Sequence, residues 1–331
     1  MKTVVVTGGT GYIAGFVIKE FLEAGYAVRA SVRSEAKGLA LAQLFDNENL
    51  STFVADLTSE QGWHDGIMGT DGPADGLIHV ASPLGTGKET VEELSAIALG
   101  GTLNVLKAAK TAGLSRVVMT SSEAAATALR STTATLTEDF WTDEANPELD
   151  AYRLSKVRAE RAAWDFAKKN DLQLTTILPG AVFGPILDLQ TISSNEIILA
   201  MLNGKLPFTV KVTFETSNTV DLAHLHRLAF EQEIAIGQRY LAASQKITMP
   251  EIAQLLLQHF PDQKSPKIIV PHWSIRLLAH FIPELRAFKP MLGRKYSYTT
   301  QKAETELGWQ QQSSEETILQ TAQSLIKHKL V

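Results

Sequence analysis

Val4-Val5-Val6-Thr7-Gly8-Gly9-Thr10-Gly11-Tyr12-Ile13-Ala14-Gly15 joins a β-branched run, a glycine-rich turn and the start of a helix-spaced pattern. Strand, glycine turn and helix in that order form a dinucleotide-binding unit, a context that makes an otherwise weak glycine pattern specific. Gly8 permits the tight turn and Gly11 lets backbone approach a pyrophosphate. Ala14 is small enough for the helix to pack closely on the strand. The helix start offers unpaired N–H groups and the positive end of a dipole. Thr7, Gly8, Thr10, Gly11, Tyr12 and Ile13 are therefore the expected phosphate-side contacts.

Outward from this unit, strands alternate with helices. Tyr26 to Val32, Leu50 to Ala55, Gly76 to Ala81, Arg116 to Thr120 and Leu174 to Leu178 read as strands. Gly11 to Ala24, Leu39 to Phe45, Val91 to Ala112 and Ala151 to Lys169 read as helices, with Gly25 and Gly113 as stop signals. This alternation predicts an α/β fold, a Rossmann doubly wound parallel sheet with helices on both faces. Past Pro179 the rhythm weakens, and helical patterns at 221–232, 249–259, 273–281 and 314–328 predict a smaller, mostly helical C-terminal substrate lobe at the carboxyl ends of the strands. The expected division is 1–180 plus about 212–245 for the cofactor unit, and about 181–211 plus 246–331 for the lobe.

Composition narrows the function. The chain has 331 residues, 44% apolar and 20% charged, enough to bury a sizeable core. Thirty-one basic against 36 acidic residues give a net charge of −5, with no footprint for nucleic acid and no polybasic membrane patch. Cysteine is absent, which excludes disulfides, thiolate catalysis and cysteine-ligated metals. Gly8 and Gly9 come too early for a secretory apolar segment, and no apolar run approaches the ~20 residues that span a bilayer, so a soluble cytoplasmic protein is expected. No metal site is expected; monomer and homodimer both stay open.

The end of the second strand selects the dinucleotide. Ala30-Ser31-Val32-Arg33-Ser34 carries no carboxylate for a ribose 2′-hydroxyl. Arg33 suits a 2′-phosphate, with Ser31 and Lys37 as assistants, so NADP(H) is favoured. Asp56 and Leu57, after the third strand, are candidates to border the adenine. Gly87-Lys88 superficially suggests a nucleotide-triphosphate loop, but Ser82 and Glu89 stand where that motif needs Gly and Ser/Thr.

The catalytic candidates lie on one later helix and one strand end. Tyr152 and Lys156, four apart, share a helix face. A phenol titrates near ~10, and a neighbouring ammonium favours its phenolate, so such a pair serves as acid or base in carbonyl chemistry. Val117-Val118-Met119-Thr120-Ser121-Ser122 ends in hydroxyls on the cofactor side; Ser122, preferred over Ser121, is the candidate to bond the substrate oxygen. Tyr298 and Lys302 repeat the spacing outside any sheet context and read as structural, as do His79, His224 and His226. Glu138-Asp139 and Asp143-Glu144 read as a solvated loop.

Together the T-G-x-x-G loop, Ser122 and Tyr152/Lys156 resemble the extended short-chain dehydrogenase/reductase family. Within it, the dihydroflavonol reductase, cinnamoyl-CoA reductase and microbial aldehyde/ketone reductase branch is most similar. Val28 to Arg33 resembles that branch's NADP-selecting segment, and His79-Val80-Ala81-Ser82-Pro83 its loop beside the nicotinamide ribose. Gly101 to Ala109 resembles its long helix, and Leu178 to Pro185, with Pro179 and Val182, its nicotinamide-side loop. Asp221-Leu222-Ala223, Gly237 to Tyr240 and Glu306 to Trp309 resemble later landmarks. The resemblance implies NADPH-dependent reduction of a small carbonyl substrate, with Tyr152 as proton donor, Lys156 on the nicotinamide ribose and Ser122 on the carbonyl. Two alternative readings of this chain are an NAD(P)-dependent nucleotide-sugar epimerase or dehydratase, against which the Arg33 region argues, and a non-catalytic NADP-binding regulator, against which the intact Tyr/Lys pair argues. Three positions depart from the pattern: Ala14 for a third glycine, Glu123 for the usual Ala at the cleft mouth, and Ala98 where many members carry an active-site Asn. Ile192, Ile197, Met201, Leu202 and Phe208 are candidates for the substrate pocket or for ordinary core.

Overall fold

The computed structural model describes residues 1–83, 89–187, 192–271, 273 and 291–331. Gly87-Lys88 and the expected helix at 273–281, apart from residue 273, lie outside these residues. Seven strands form the central sheet: β1 (Thr3–Val6), β2 (Ala27–Val32), β3 (Leu50–Val54), β4 (Gly76–His79), β5 (Arg116–Thr120), β7 (Gln173–Leu178) and β11 (Arg239–Leu241). Their order is β11-β7-β5-β4-β1-β2-β3, and every pairing is parallel. The sheet reverses its order of growth at β1, and that switch point opens a crevice at the strands' carboxyl ends.

Alternation along the strands feeds two cores. Val4 and Val6 point into one with α1 (Tyr12–Glu23) and α7 (Thr219–Glu231). Val5 points into the other with α3 (Trp63–Met68), α4 (Val91–Thr111) and α5 (Ala151–Asn170). Val118 against Val117 and Met119 divide the same way in β5. The central strand β1 is buried on both faces and correspondingly apolar, whereas the edge strand β3 exposes Ser51, Thr52 and Val54.

The second half carries more strand than its sequence pattern predicts. β8 (Ala181–Phe183), β10 (Thr213–Asn218) and β12 (Gln245–Thr248) form a small mixed sheet, and β9 (Phe208–Val210) pairs with β13 (Ile268–Val270). Most of these strands span only three or four residues, too short for a period of two to register. The helices α6 (Glu196–Leu202) and α8 (Met249–His259) and the C-terminal helix Ser314–Lys327 pack around them. Met201 and Leu202 are fully buried, and Ile192, Ile197 and Phe208 pack against the same core, so all five serve packing. No helix among the described residues is long and apolar enough to cross a membrane.

Candidate active site

A cleft of about 1180 Å³ runs along the carboxyl ends of β1, β2, β4 and β5. Its floor is the glycine turn. Gly8 has φ +72°, and a Cβ there would sit 3.0 Å from that of Ala81. Gly11 N-caps α1 with no side-chain partner, so the first turn's N–H groups face the cleft unshielded by a cap. These features fit a dinucleotide pyrophosphate: a cradle that a side chain would fill, at the positive end of a helix.

Thr7 is different from its expected role. It is fully buried and lies beneath the cleft wall. Its hydroxyl accepts hydrogen bonds from the N–H groups of Val80 (3.0 Å) and Ala81 (2.9 Å). With both lone pairs engaged, its proton goes to His79 Nδ1, 2.9 Å away. Thr7 thus braces the β4 loop, whose Val80, Ala81 and Ser82 line the cleft. Ser31, only 2% exposed, lines the cleft and accepts the Gly8 N–H at 2.9 Å, which ties the glycine turn to β2. Arg33 and Lys37 remain exposed at the cleft's edge. Asp56 lines the cleft near them, its carboxylate folded onto the Thr58 hydroxyl and N–H at 2.6 and 2.8 Å. Those bonds, with Arg33 nearby, hold its carboxyl below the usual range. Leu57 lines the cleft beside it.

The opposite wall carries the hydroxyls. Asp150 caps α5 by accepting the Arg153 N–H, which fixes the first turn on which Tyr152 stands. One turn later Lys156, 6% exposed, places its ammonium 5.8 Å from the Tyr152 ring centre. Both side chains line the cleft with Ser122, Pro179 and Val182. Ser121 is committed elsewhere: its hydroxyl donates to Glu160 at 2.6 Å. Ser122 caps the following turn, its Oγ accepting the Ala124 N–H at 3.2 Å, which leaves its proton for a second partner. Ala98, at the position of the usual Asn, is 2% exposed and provides no polar group. The second Tyr/Lys copy faces away from this wall: Tyr298 is buried and Lys302 bonds Gln238 at 2.7 Å.

Sequence reading misses the support beneath this wall. Glu160, fully buried, accepts from Ser121, Thr176 (2.7 Å), Arg239 Nε (2.9 Å) and Trp164 (3.3 Å). It continues the spacing of Tyr152 and Lys156 by one more turn, the one available signal. Arg239 also donates to the backbone carbonyls of Glu138 and Phe140 and stacks 3.7 Å over Trp141. Glu138 is therefore no solvated residue: it is 6% exposed and accepts the Leu241 N–H at 3.0 Å, and burial pushes its carboxyl up.

Two buried histidines fix strand ends. Burial, with the Lys156 ammonium adding, pushes His79 down to about 3. Burial pushes His226 down to about 4; its Nδ1 donates to Leu222 O, so Nε2 accepts the Thr120 hydroxyl at 2.7 Å. Each unfolded imidazole takes up a proton near 6.5 that the native one refuses, so stability is lost as pH falls from about 6.5 towards 4. Thermal unfolding between pH 7 and 4 should show this loss, reduced in His226→Gln. An identical pH slope in the variant contradicts a neutral buried His226.

The comparisons agree with this geometry. Residues 4–233 match the family model described as NAD dependent epimerase/dehydratase family. The chain is 34% identical over 285 residues to an anthocyanidin reductase of Vitis vinifera, covering 80% of this chain and 83% of that protein. It is 31% identical to dihydroflavonol 4-reductase of Zea mays, covering 80% and 76%. Among solved structures, the NADPH complex of Gre2 from Candida albicans matches with a TM-score of 0.83 and 30% identity over 99% of each chain. Yeast methylglyoxal/isovaleraldehyde reductase Gre2 with NADPH gives 0.81 and 25%, over 99% and 100%. Family match, relatives and fold coincide: the chain belongs to the NAD dependent epimerase/dehydratase family.

Proposed function

We propose that this protein is an NADPH-dependent reductase that converts an aldehyde or ketone to the alcohol, with Tyr152 as general acid. The observation that carries the reading is the wall formed by Ser122, Tyr152 and Lys156, facing the same cleft as the glycine turn. The reductases among the relatives, and the NADPH bound to the two Gre2 structures, support the same cofactor and reaction class.

Gly8, Thr10, Gly11, Tyr12 and Ile13 would hold the pyrophosphate, Arg33 and Lys37 the 2′-phosphate. Asp56 and Leu57 would border the adenine, and Val80, Ala81, Ser82, Pro179 and Val182 the nicotinamide end. When bound, the reduced nicotinamide supplies a hydride to the carbonyl carbon. Ser122 donates its free hydroxyl proton in a hydrogen bond to the carbonyl oxygen and orients it. Tyr152 transfers its phenolic proton to that oxygen as charge develops there, which completes the alcohol. The Lys156 ammonium offsets the negative charge left on Tyr152 and binds the ribose. NADPH oxidation with isovaleraldehyde, methylglyoxal, a dihydroflavonol and an anthocyanidin tests this reading. Turnover of at least one is expected; tight NADPH binding without any turnover would overturn it.

A further inference from the structure

A buried group of charges lies behind the Ser122–Pro179 end of the cleft and touches none of the residues given a role above except through backbone. The Arg294 guanidinium, 4% exposed, lies 3.2 Å from Glu123 Oε1 and 3.6 Å from Glu215 Oε1. Lys246 reaches Glu215 from the half-exposed side at 3.7 Å. The Tyr296 and Tyr298 rings lie 5.3 and 5.9 Å from the guanidinium, and the Arg153 charge on α5 acts on Tyr296.

Backbone contacts connect this group to the site. Glu123 directly follows Ser122, and its N–H donates to Pro179 O at 2.9 Å. Tyr298 Oη donates to the Glu123 carbonyl at 3.3 Å. On the far side, Gly180 presses against the Glu215 carbonyl so closely that a Cβ would collide with it. Pro179 and Gly180 both line the cleft. Glu123 and Glu215 therefore flank one turn of the active-site wall, and Arg294 joins them across it.

The cluster is short of donors. Glu123 Oε2 and both Glu215 oxygens are buried without a hydrogen bond. One guanidinium and a distant ammonium do not compensate two buried carboxylates. Burial, with the Glu123 charge beside it, pushes Glu215 up to about 8. Near neutral pH Glu215 thus keeps its proton, and Arg294 pairs with Glu123. Once Glu215 ionises, it competes for the same guanidinium.

Building on the reading of Ser122 as the carbonyl-orienting hydroxyl, we propose that Glu123 and Arg294 are positioning residues for reduction. Their ion pair holds the Ser122 turn against Pro179, and Glu215 is a competitor that loosens this hold when it loses its proton. Glu123→Gln should lower kcat/KM for the carbonyl about tenfold or more through misplacement of Ser122, with the NADPH dissociation constant unchanged. Arg294→Lys should recover part of the activity that Arg294→Met loses. Glu215→Gln should keep its activity above pH 8 relative to wild type. The melting temperature of Glu215→Gln, taken relative to wild type, should rise between pH 5 and 8, the window in which the native state holds a proton that the unfolded chain has released. Glu123→Gln at wild-type kcat/KM, or a Glu215→Gln melting curve that parallels wild type across that window, overturns the proposal. NADPH-bound wild type that reduces no carbonyl overturns the Ser122 reading itself and this inference with it, whereas active wild type with indifferent variants overturns the inference alone.

Discussion

Tyr152→Phe is expected to lower kcat for carbonyl reduction by about 10²–10⁴-fold while NADPH binds as in wild type. The substitution removes one oxygen from a side chain on the first turn of α5 and leaves the ring where Lys156 faces it. Little packing is lost, so a drop in rate reports on the proton and not on folding. Ser122 would still orient the carbonyl, but no other phenol stands on this wall to replace the proton. The Tyr298 phenol is buried, and its hydroxyl is engaged by the Glu123 carbonyl. Steady-state rates with titration of NADPH by fluorescence separate the two effects. Unchanged kcat in Tyr152→Phe would remove Tyr152 from the mechanism.

Arg33→Ala is expected to weaken NADPH about tenfold and leave NADH nearly unaffected. A charge-assisted hydrogen bond to phosphate is worth roughly 1.5–3 kcal/mol, and an exposed arginine reaches only the lower end of that range. Arg33 is exposed at the edge of the cleft, so solvent screens it, and Lys37 one turn into the next helix retains part of the attraction. Ser31, whose hydroxyl accepts the Gly8 N–H, still has its proton to donate at the cleft and so also retains part of the attraction. Dissociation constants for both cofactors at two salt concentrations check the argument. Screening predicts that the NADPH preference shrinks as salt rises. Equal losses for NADPH and NADH would show that Arg33 supports the fold and not the 2′-phosphate.

Much of this architecture is legible in the sequence because its signals are local. The glycine turn, the buried β-branched strands and the Tyr152/Lys156 spacing each fit within a few residues. What escapes is built from partners far apart in the chain. Glu160 and Arg239 are separated by 79 residues and Glu123 and Arg294 by 171, and only the fold brings them together. Thr7 has the right chemistry for a cofactor contact, but it lies beneath the cleft wall, where it holds the Val80 and Ala81 N–H groups in place. Glu138 sits in an acidic run that reads as solvated, yet β11 lies over it and supplies the Leu241 N–H. Glu123, placed by sequence at the cleft mouth, turns inward to Arg294 instead. The short strands β8 to β10, β12 and β13 carry too few residues to show a period, so the second half reads as more helical than it is.

In the proposed reaction a hydride passes to a carbonyl carbon while Tyr152 supplies the proton. Reduction of a carbonyl from the panel that wild type turns over, with NADPH carrying deuterium at both C4 positions of the nicotinamide, tests both halves in one product analysis. Deuterium is expected on the carbinol carbon, with one alcohol formed per cofactor oxidised and loss of the reaction in Tyr152→Phe. Cofactor bound with no alcohol formed, or alcohol formed equally well by Tyr152→Phe, would contradict it.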